Sequence, residues 1–295
     1  MRGNVPAYEL KRLPTLEATL QLISDAGGEY RPFAGGTDLM VLFEAGHLKH
    51  SKFVSLWHLN ELRGIETTSD HLTMGALTTY TDLRRHPVVQ AEFGLLIRAA
   101  SETGAIAIQN RGTLGGNIAN ASPAADTPPA LLVYEAEIEL LSKAGARWVP
   151  YFGFHQGYKK IALRTDELIS RIRVPRPRTA EARGWHAYYR KVGTRKAQAI
   201  SKVCFTGVLA HRAGLISEVR IALGSVSPIP TRIPRTEAIL RGKQLDATLI
   251  SQAQAELLKE IVPIDDIRST SRYRLRIAAN LLEDFLHEAT GIAGN

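Results

Sequence analysis

Two stretches carry residue types suited to gripping an anion through backbone and short polar side chains. The run from Ile108 to Asp126 has almost nothing that suits a helix or strand interior and reads as a binding loop. Gly112, Gly115 and Gly116 let backbone come close to a ligand, while Thr113, Asn117, Asn120 and Ser122 supply hydrogen-bonding groups. Such a loop could hold a diphosphate; the alternative is an ordinary long polar connection. The stretch Arg31-Pro32-Phe33-Ala34-Gly35-Gly36-Thr37-Asp38-Leu39-Met40 has the same character: an apolar run, a glycine pair, a threonine, then a helical pattern. A strand entering a glycine turn that opens a helix aims free amides at an anion. Four or five charge-assisted amide bonds, at roughly 1.5–3 kcal/mol each, could hold a cofactor without a nearby lysine.

Other chemistries find no support. Neither loop matches Gly-x-Gly-x-x-Gly or Gly-x-x-x-x-Gly-Lys-Ser/Thr, and the chain has no Gly-x-Ser-x-Gly elbow and no His-Glu-x-x-His. His47, His50 and His58 have spacings that suit no common metal site and read as surface or packing residues. The single cysteine, Cys204, excludes an internal disulfide and leaves nothing to ligate an iron–sulfur cluster, so any cluster must belong to a partner. A chain without obvious catalytic side chains fits a protein whose chemistry resides in a redox cofactor.

Composition is that of an ordinary soluble protein, 44% hydrophobic and 22% charged over 295 residues, enough for two or three compact units. The net charge of +8 is localised: ten basic residues between Arg171 and Lys202 face Glu181 alone, and the remainder is nearly neutral. Without a basic–aromatic repeat or a nucleic-acid module, the stretch reads as a solvated face, or as one turned toward a cofactor phosphate or an acidic partner. Met1 to Leu13 lacks an apolar run of signal-peptide length, and no run reaches the roughly 18 apolar residues of a membrane span, so a cytoplasmic protein without membrane insertion is expected.

The elements that must position the two loops follow from periodicity. Thr15 should cap a helix with Leu16, Leu20 and Ile23 on its apolar face and Gly27-Gly28 beyond its end. Tyr30–Ala34 should be a strand feeding the first loop, Asp38–Ala45 a helix, and Lys52–Leu56 a second strand. Ile65–Leu77 reads as one half-buried strand, and a helical stretch from Thr78 resumes after His86-Pro87. Pro128-Pro129 opens a short helix, and Asp126 at its mouth either caps it or meets a ribose hydroxyl. Strands follow at Glu137–Ser142 and Asp166–Val174. After the stiff Pro175-Arg176-Pro177-Arg178 seam come strands near Trp185–Val192, Ser201–His211 and Glu218–Leu223, with a turn at Arg212-Ala213-Gly214. Leu275, Ala278, Leu282 and Phe285 stripe a final helix.

Ala34-Gly35-Gly36-Thr37-Asp38-Leu39, paired with Gly112-Thr113-Leu114-Gly115-Gly116-Asn117-Ile118-Ala119-Asn120-Ala121-Ser122-Pro123, resembles the FAD-binding (medium) subunit of the xanthine dehydrogenase and carbon monoxide dehydrogenase family of molybdenum hydroxylases. The likeness continues through Gly153-Phe154-His155 and Arg190-Lys191-Val192-Gly193-Thr194-Arg195. It departs at Ala107-Ile108-Gln109-Asn110, where the family usually reads Gln-Ile-Arg-Asn. The resemblance implies an α+β protein with a FAD-binding fold of the vanillyl-alcohol oxidase/methoxy-cresol hydroxylase type over residues 1–177 (subdomains about 1–57 and 58–177). A C-terminal domain over 178–295, a three-stranded antiparallel sheet with helices, would follow.

It also implies that the backbone of Ala34–Asp38 and Thr113–Asn117 binds the FAD diphosphate, that Asp126 contacts the ribose, and that Ile169 and Lys191 line the flavin. Pro32, Phe33, Leu39, Thr103, Leu114 and Asn120 complete the implied cofactor set. A cation such as Lys191 would stabilise anionic reduced flavin; a solvated lysine is the alternative. The implied partners are a molybdopterin-containing large subunit and a [2Fe-2S] small subunit, with NAD, oxygen or another electron acceptor. Having only Cys204 argues against the branch whose medium subunit holds an extra cluster. A stand-alone FAD-dependent oxidase or dehydrogenase of the same fold, and a non-enzymatic module binding a phosphate-rich partner, are the other readings.

Overall fold

The computed structural model describes residues 7–177, 184–195 and 198–290. Its first unit is a parallel sheet of β1 (Glu9–Lys11), β2 (Arg31–Phe33) and β3 (Lys52–Ser55) in the order β1-β3-β2. Helix α1 (Leu16–Asp25) starts where Thr15 Oγ1 accepts the Ala18 amide at 3.1 Å, and α2 (Leu39–Glu44) follows β2. Leu20 and Ile23 pack with Tyr30, Val54, Leu56 and Leu59 under the sheet. Strand β1 escaped the sequence reading because its one apolar residue, Leu10, is exposed and no alternation marks it. Because β2 and β3 run parallel, the turns after both emerge at the same sheet edge, the usual place for a ligand.

The second unit is an antiparallel sheet ordered β4-β5-β10-β6-β7. Its strands are β4 (Ile65–Thr67), β5 (His71–Gly75), β6 (Glu137–Ser142), β7 (Gly145–Pro150) and β10 (Leu168–Pro175), with a separate hairpin of β8 (His155–Gly157) and β9 (Lys160–Ile161). The single strand expected over Ile65–Leu77 is a hairpin. Thr68 Oγ1 accepts the amides of Asp70 and His71, at 3.2 and 3.1 Å, and these local bonds reverse the chain. Helices α3 (Tyr80–Arg85), α4 (Pro87–Glu92) and α5 (Gly94–Glu102) then cover Leu72, Met74, Ile138, Leu140, Ile172 and Val174.

The run from Ile108 to Asp126 is not the continuous loop its composition suggests. It is threaded by the end of α6 (Ile106–Gln109), all of α7 (Leu114–Asn120), and the approach to α8 (Thr127–Val133). Leu114 and Ile118 recur one turn apart and are fully buried, and Thr113 Oγ1 accepts the Gly116 amide at 3.2 Å. Burial and a cap outweigh the roughly 1 kcal/mol that each helical glycine costs.

The C-terminal sheet has three long antiparallel strands, β11 (His186–Val192), β12 (Val203–Arg212) and β13 (Leu215–Gly224), with the two-residue β14 (Thr231–Arg232) added at one edge. Ala213 and Gly214 both have positive φ, the geometry of a tight hairpin turn. Helices α9 (Pro234–Leu240), α10 (Ala247–Glu260) and α11 (Ser271–Thr290) cover one face, where Ala278, Leu282 and Phe285 are fully buried. From the other face Tyr189, Cys204, Val208 and Ala222 join the core of the second unit, and the Ser225 amide donates to Pro123 O at 2.7 Å.

Four of the ten basic residues of the stretch are paired with acids. Arg171, Arg173, Arg176 and Lys191 meet Glu139, Glu137, Glu92 and Asp126. Arg178, Arg183 and Lys196 lie outside the described residues. Among the described residues no helix is long and apolar enough to cross a membrane.

Candidate functional site

At the end of β2 the chain turns through Ala34–Asp38 into α2, and among the described residues none of the amides from Ala34 to Leu39 has an acceptor. Six consecutive donors without an acceptor in a largely half-buried turn are a set of groups suited to an anion. Behind it, Pro32 and Phe33 are strand residues, and Phe33 packs edge-on against Phe53. The second glycine segment presses directly on this turn. A Cβ on Gly35 would lie 1.8 Å from the Arg111 carbonyl oxygen, so only glycine permits the contact. The Arg111 guanidinium lies 3.8 Å from the Trp57 ring centroid, in cation–π geometry.

The α7 amides differ from those of the first turn. Leu114 and Gly115 donate to Thr78 O and Ala76 O, both at 2.9 Å; Gly116 and Asn117 donate to Thr113. The second segment therefore walls the cleft more than it supplies free donors. Gly115 faces inward, where a Cβ would meet Ala76 Cβ at 2.6 Å. A Gly116 Cβ would project between Thr113 Oγ1, at 2.7 Å, and Ala34 Cβ, at 3.9 Å. Asn120, the last residue of α7, donates from Nδ2 to Asp38 Oδ1 at 3.0 Å, closing the two segments on each other at a second point.

A second group gathers around Asp126. The carboxylate does not cap α8. Its Oδ2 lies 2.8 Å from Lys191 Nζ, and its Oδ1 accepts from Ser201 Oγ at 2.7 Å. Lys191 Nζ also donates to Glu102 O at 2.8 Å, and Thr103 stands beside the carboxylate. Burial raises the pKa of Asp126, opposed by the Lys191 ammonium and the hydroxyls of Ser201 and Thr103. Thr127 Oγ1 donates to Asn117 Oδ1 at 2.6 Å, tying this group to α7. Ile169 lies on β10 at a register shift, buried in the second core.

Sequence reasoning missed several residues. His155, buried on β8, contacts Ile118 O of α7 at 3.0 Å through Nε2. Lys159, in the β8–β9 turn, donates to Asn120 O and Oδ1 at 2.8 and 2.6 Å. His155 closes the Gly153-Phe154-His155 stretch that the resemblance marked, but nothing in the sequence gave it a partner; Lys159 carries no periodicity or motif that would announce it. Ser201 precedes a strand and shows only as a small polar residue.

A parallel unit whose glycine turn offers six open amides, pressed by a second glycine segment that Thr127 ties to a buried acid–lysine pair, is suited to hold an anionic cofactor. The family profile described as "FAD binding domain in molybdopterin dehydrogenase" matches residues 7–177, and that described as "CO dehydrogenase flavoprotein C-terminal domain" matches 187–289. The chain is 31% identical to the putative xanthine dehydrogenase FAD-binding subunit of Escherichia coli (strain K12), over 96% of each chain. Among solved structures, carbon monoxide dehydrogenase from Hydrogenophaga pseudoflava, in a form lacking the Mo-pyranopterin moiety, matches with a TM-score of 0.91 at 28% identity, over 98% of this chain and 99% of that one. Quinoline 2-oxidoreductase from Pseudomonas putida 86 matches with a TM-score of 0.88 at 26% identity and the same coverage. The chain belongs to the FAD-binding (medium) subunits of the xanthine and carbon monoxide dehydrogenase family, and is a FAD-dependent oxidoreductase subunit.

Proposed function

We propose that the FAD diphosphate lies on the open amides of Ala34–Leu39, walled on its other side by Thr113 and Gly116, with the Asp126–Lys191 pair toward the flavin end. The observation that carries this reading is the unpaired run of amides held against Arg111 by Gly35. It is a donor set for an anion, and its glycines leave room where Cβ atoms would intrude. Bound FAD supplies the redox chemistry. The chain binds it, shields it, and presents a cation, Lys191, whose charge favours a reduced anionic ring. Ser201 holds the Asp126 carboxylate that orients that cation, while the Thr103 hydroxyl beside it donates to Ala99 O at 2.8 Å.

The full assignment is a relay. A molybdopterin-containing large subunit oxidises the substrate, a [2Fe-2S] small subunit passes the electrons on, and this chain delivers them to NAD, oxygen or another acceptor. The relatives support it, being FAD-binding or medium subunits named for xanthine and carbon monoxide dehydrogenases. We place the boundary between the FAD-binding and C-terminal domains at the Pro175–Pro177 seam. Affinity purification of the tagged chain tests the relay: co-purifying molybdenum and iron–sulfur subunits are expected. Steady turnover of a small donor by the isolated yellow chain would favour a stand-alone flavoprotein instead.

A further inference from the structure

Asp38 poses an electrostatic problem. It is the last residue of the open-amide turn, and a free carboxylate there would repel the diphosphate that the turn is placed to bind. The fold answers with a chain of three side chains. Asp38 Oδ1 accepts from Asn120 Nδ2 at 3.0 Å, and Asn120 Oδ1 and O both accept from Lys159 Nζ, at 2.6 and 2.8 Å.

Two further features mark Lys159. Its backbone is left-handed, φ 56°, a conformation rarely taken by a residue with a long side chain. In addition, burial lowers its pKa while the Asp38 charge acts in the opposite direction, so the two charges are in electrostatic reach. Asn120 ends α7, and Ala121 after it is also left-handed, φ 47°. The ammonium thus fastens the C-terminal end of α7 to the start of α2, a second contact besides the one where Gly35 meets Arg111. The two segments meet at two places, by backbone contact at Gly35–Arg111 and by Asp38–Asn120–Lys159.

We propose that Lys159 is a positioning residue for the flavin cofactor: through Asn120 it turns the Asp38 carboxylate away from the diphosphate and supplies its counter-charge. The proposal rests on the FAD placement given above. It predicts a specific electrostatic signature. Removing the cation exposes the diphosphate to Asp38, and removing the Asp38 charge as well relieves the repulsion.

The test is the FAD dissociation constant, read from the fluorescence of released flavin, for the full chain as wild type, Lys159→Met, Lys159→Arg, Asp38→Asn and the Lys159→Met/Asp38→Asn pair. Apoprotein melting is followed in parallel. Lys159→Met should weaken FAD binding by about tenfold, equivalent to about 1.4 kcal/mol, with no more than a small drop in the apoprotein midpoint. Lys159→Arg should retain most of the affinity, and the double variant should recover to within about threefold of wild type, the measure of coupling between the two sites. Unchanged affinity in Lys159→Met would overturn the proposal. So would loss of binding together with apoprotein stability, or failure of Asp38→Asn to restore it. If wild-type protein bound no FAD, or if Gly116→Val left binding intact, the FAD placement itself would fail, a result separate from the role of Lys159.

Discussion

Lys191 Nζ lies 2.8 Å from Asp126 Oδ2, and the two side chains are only 6% and 9% exposed. Lys191 belongs to the C-terminal sheet and Asp126 to the entry of α8, so the ion pair spans the joint between the two family-matched regions. Ser201 extends the contact: its hydroxyl donates to Asp126, and its own carbonyl accepts from Ser225 Oγ at 3.0 Å.

Removing one partner should therefore be costly. Lys191→Met leaves a buried carboxylate with only hydroxyl donors and should destabilise the protein by about 3 kcal/mol, measured by urea unfolding. The Lys191→Met/Asp126→Asn pair should recover a large part of that loss, because no charge is then stranded. In the flavin-loaded protein Lys191→Met should also lower the midpoint potential in a dye-coupled reductive titration. An unchanged potential would place Lys191 away from the ring.

His155 gives a pH dependence with a defined sign. Burial lowers its pKa below the ordinary 6.5, opposed by the hydrogen bond to Ile118 O, so the folded protein holds it neutral with the proton on Nε2. The unfolded chain takes up the proton first as pH falls. Stability is thus complete above 6.5 and declines below it, by at most about 1.4 kcal/mol per pH unit until the folded pKa is reached. Thermal midpoints followed from neutral pH into the acid range should show this decline in wild type, and His155→Gln should make it shallower, the remainder belonging to His50 and His186, whose pKa values burial also lowers.

The three glycines of the cleft should separate by phenotype. Gly115→Val drives a Cβ toward Ala76 Cβ, 2.6 Å away, and should prevent the second unit from folding. Gly116→Val points instead at Thr113 Oγ1 and the cleft; it should give folded, colourless protein. Gly35→Ala collides with the Arg111 carbonyl and should yield protein that folds but melts earlier and releases flavin on dilution. Circular dichroism and visible absorbance on each variant check the assignment. Retained yellow colour in Gly116→Val would remove that wall from the site.

These distinctions mark where the sequence was legible. Ala34-Gly35-Gly36-Thr37 was legible as the turn between a strand and a helix because glycine, threonine and a following helical pattern have a local meaning that survives folding. The α1 cap at Thr15 and the Ala213-Gly214 turn were readable for the same reason. The second segment misled, because its glycines suggested open loop while Leu114 and Ile118 were being drawn into a core that only the assembled sheet provides. The Asp126–Lys191 pair, 65 residues apart in sequence, and the Lys159–Asn120 contact, 39 apart, depend wholly on topology. The basic stretch looked like a patch because its counter-charges, Glu92, Glu137 and Glu139, lie far back in the chain.

Asp266 anchors the C-terminal domain, and its titration runs opposite to that of a stranded acid. Burial would raise its pKa, but the side-chain and backbone donors of Arg268 and the charge of Arg274 overcome that and hold it well below the usual carboxylate range. Arg274, 2% exposed, donates from Nη2 to Asp266 Oδ1 at 2.7 Å and from Nη1 to Ser225 O at 2.6 Å. It thereby braces the left-handed Ser225, whose amide reaches across to Pro123. A folded pKa below the unfolded value means the stabilisation is complete above 3.8 and is lost as pH falls through the folded value. Asp266→Asn strands the Arg274 guanidinium and should cost about 3 kcal/mol near neutrality. In urea unfolding the gap between wild type and variant should stay constant from neutral pH down to about 5 and narrow only below 3.8. A gap that was already closing near pH 6 would mean that a histidine, not this carboxylate, sets the stability of the domain.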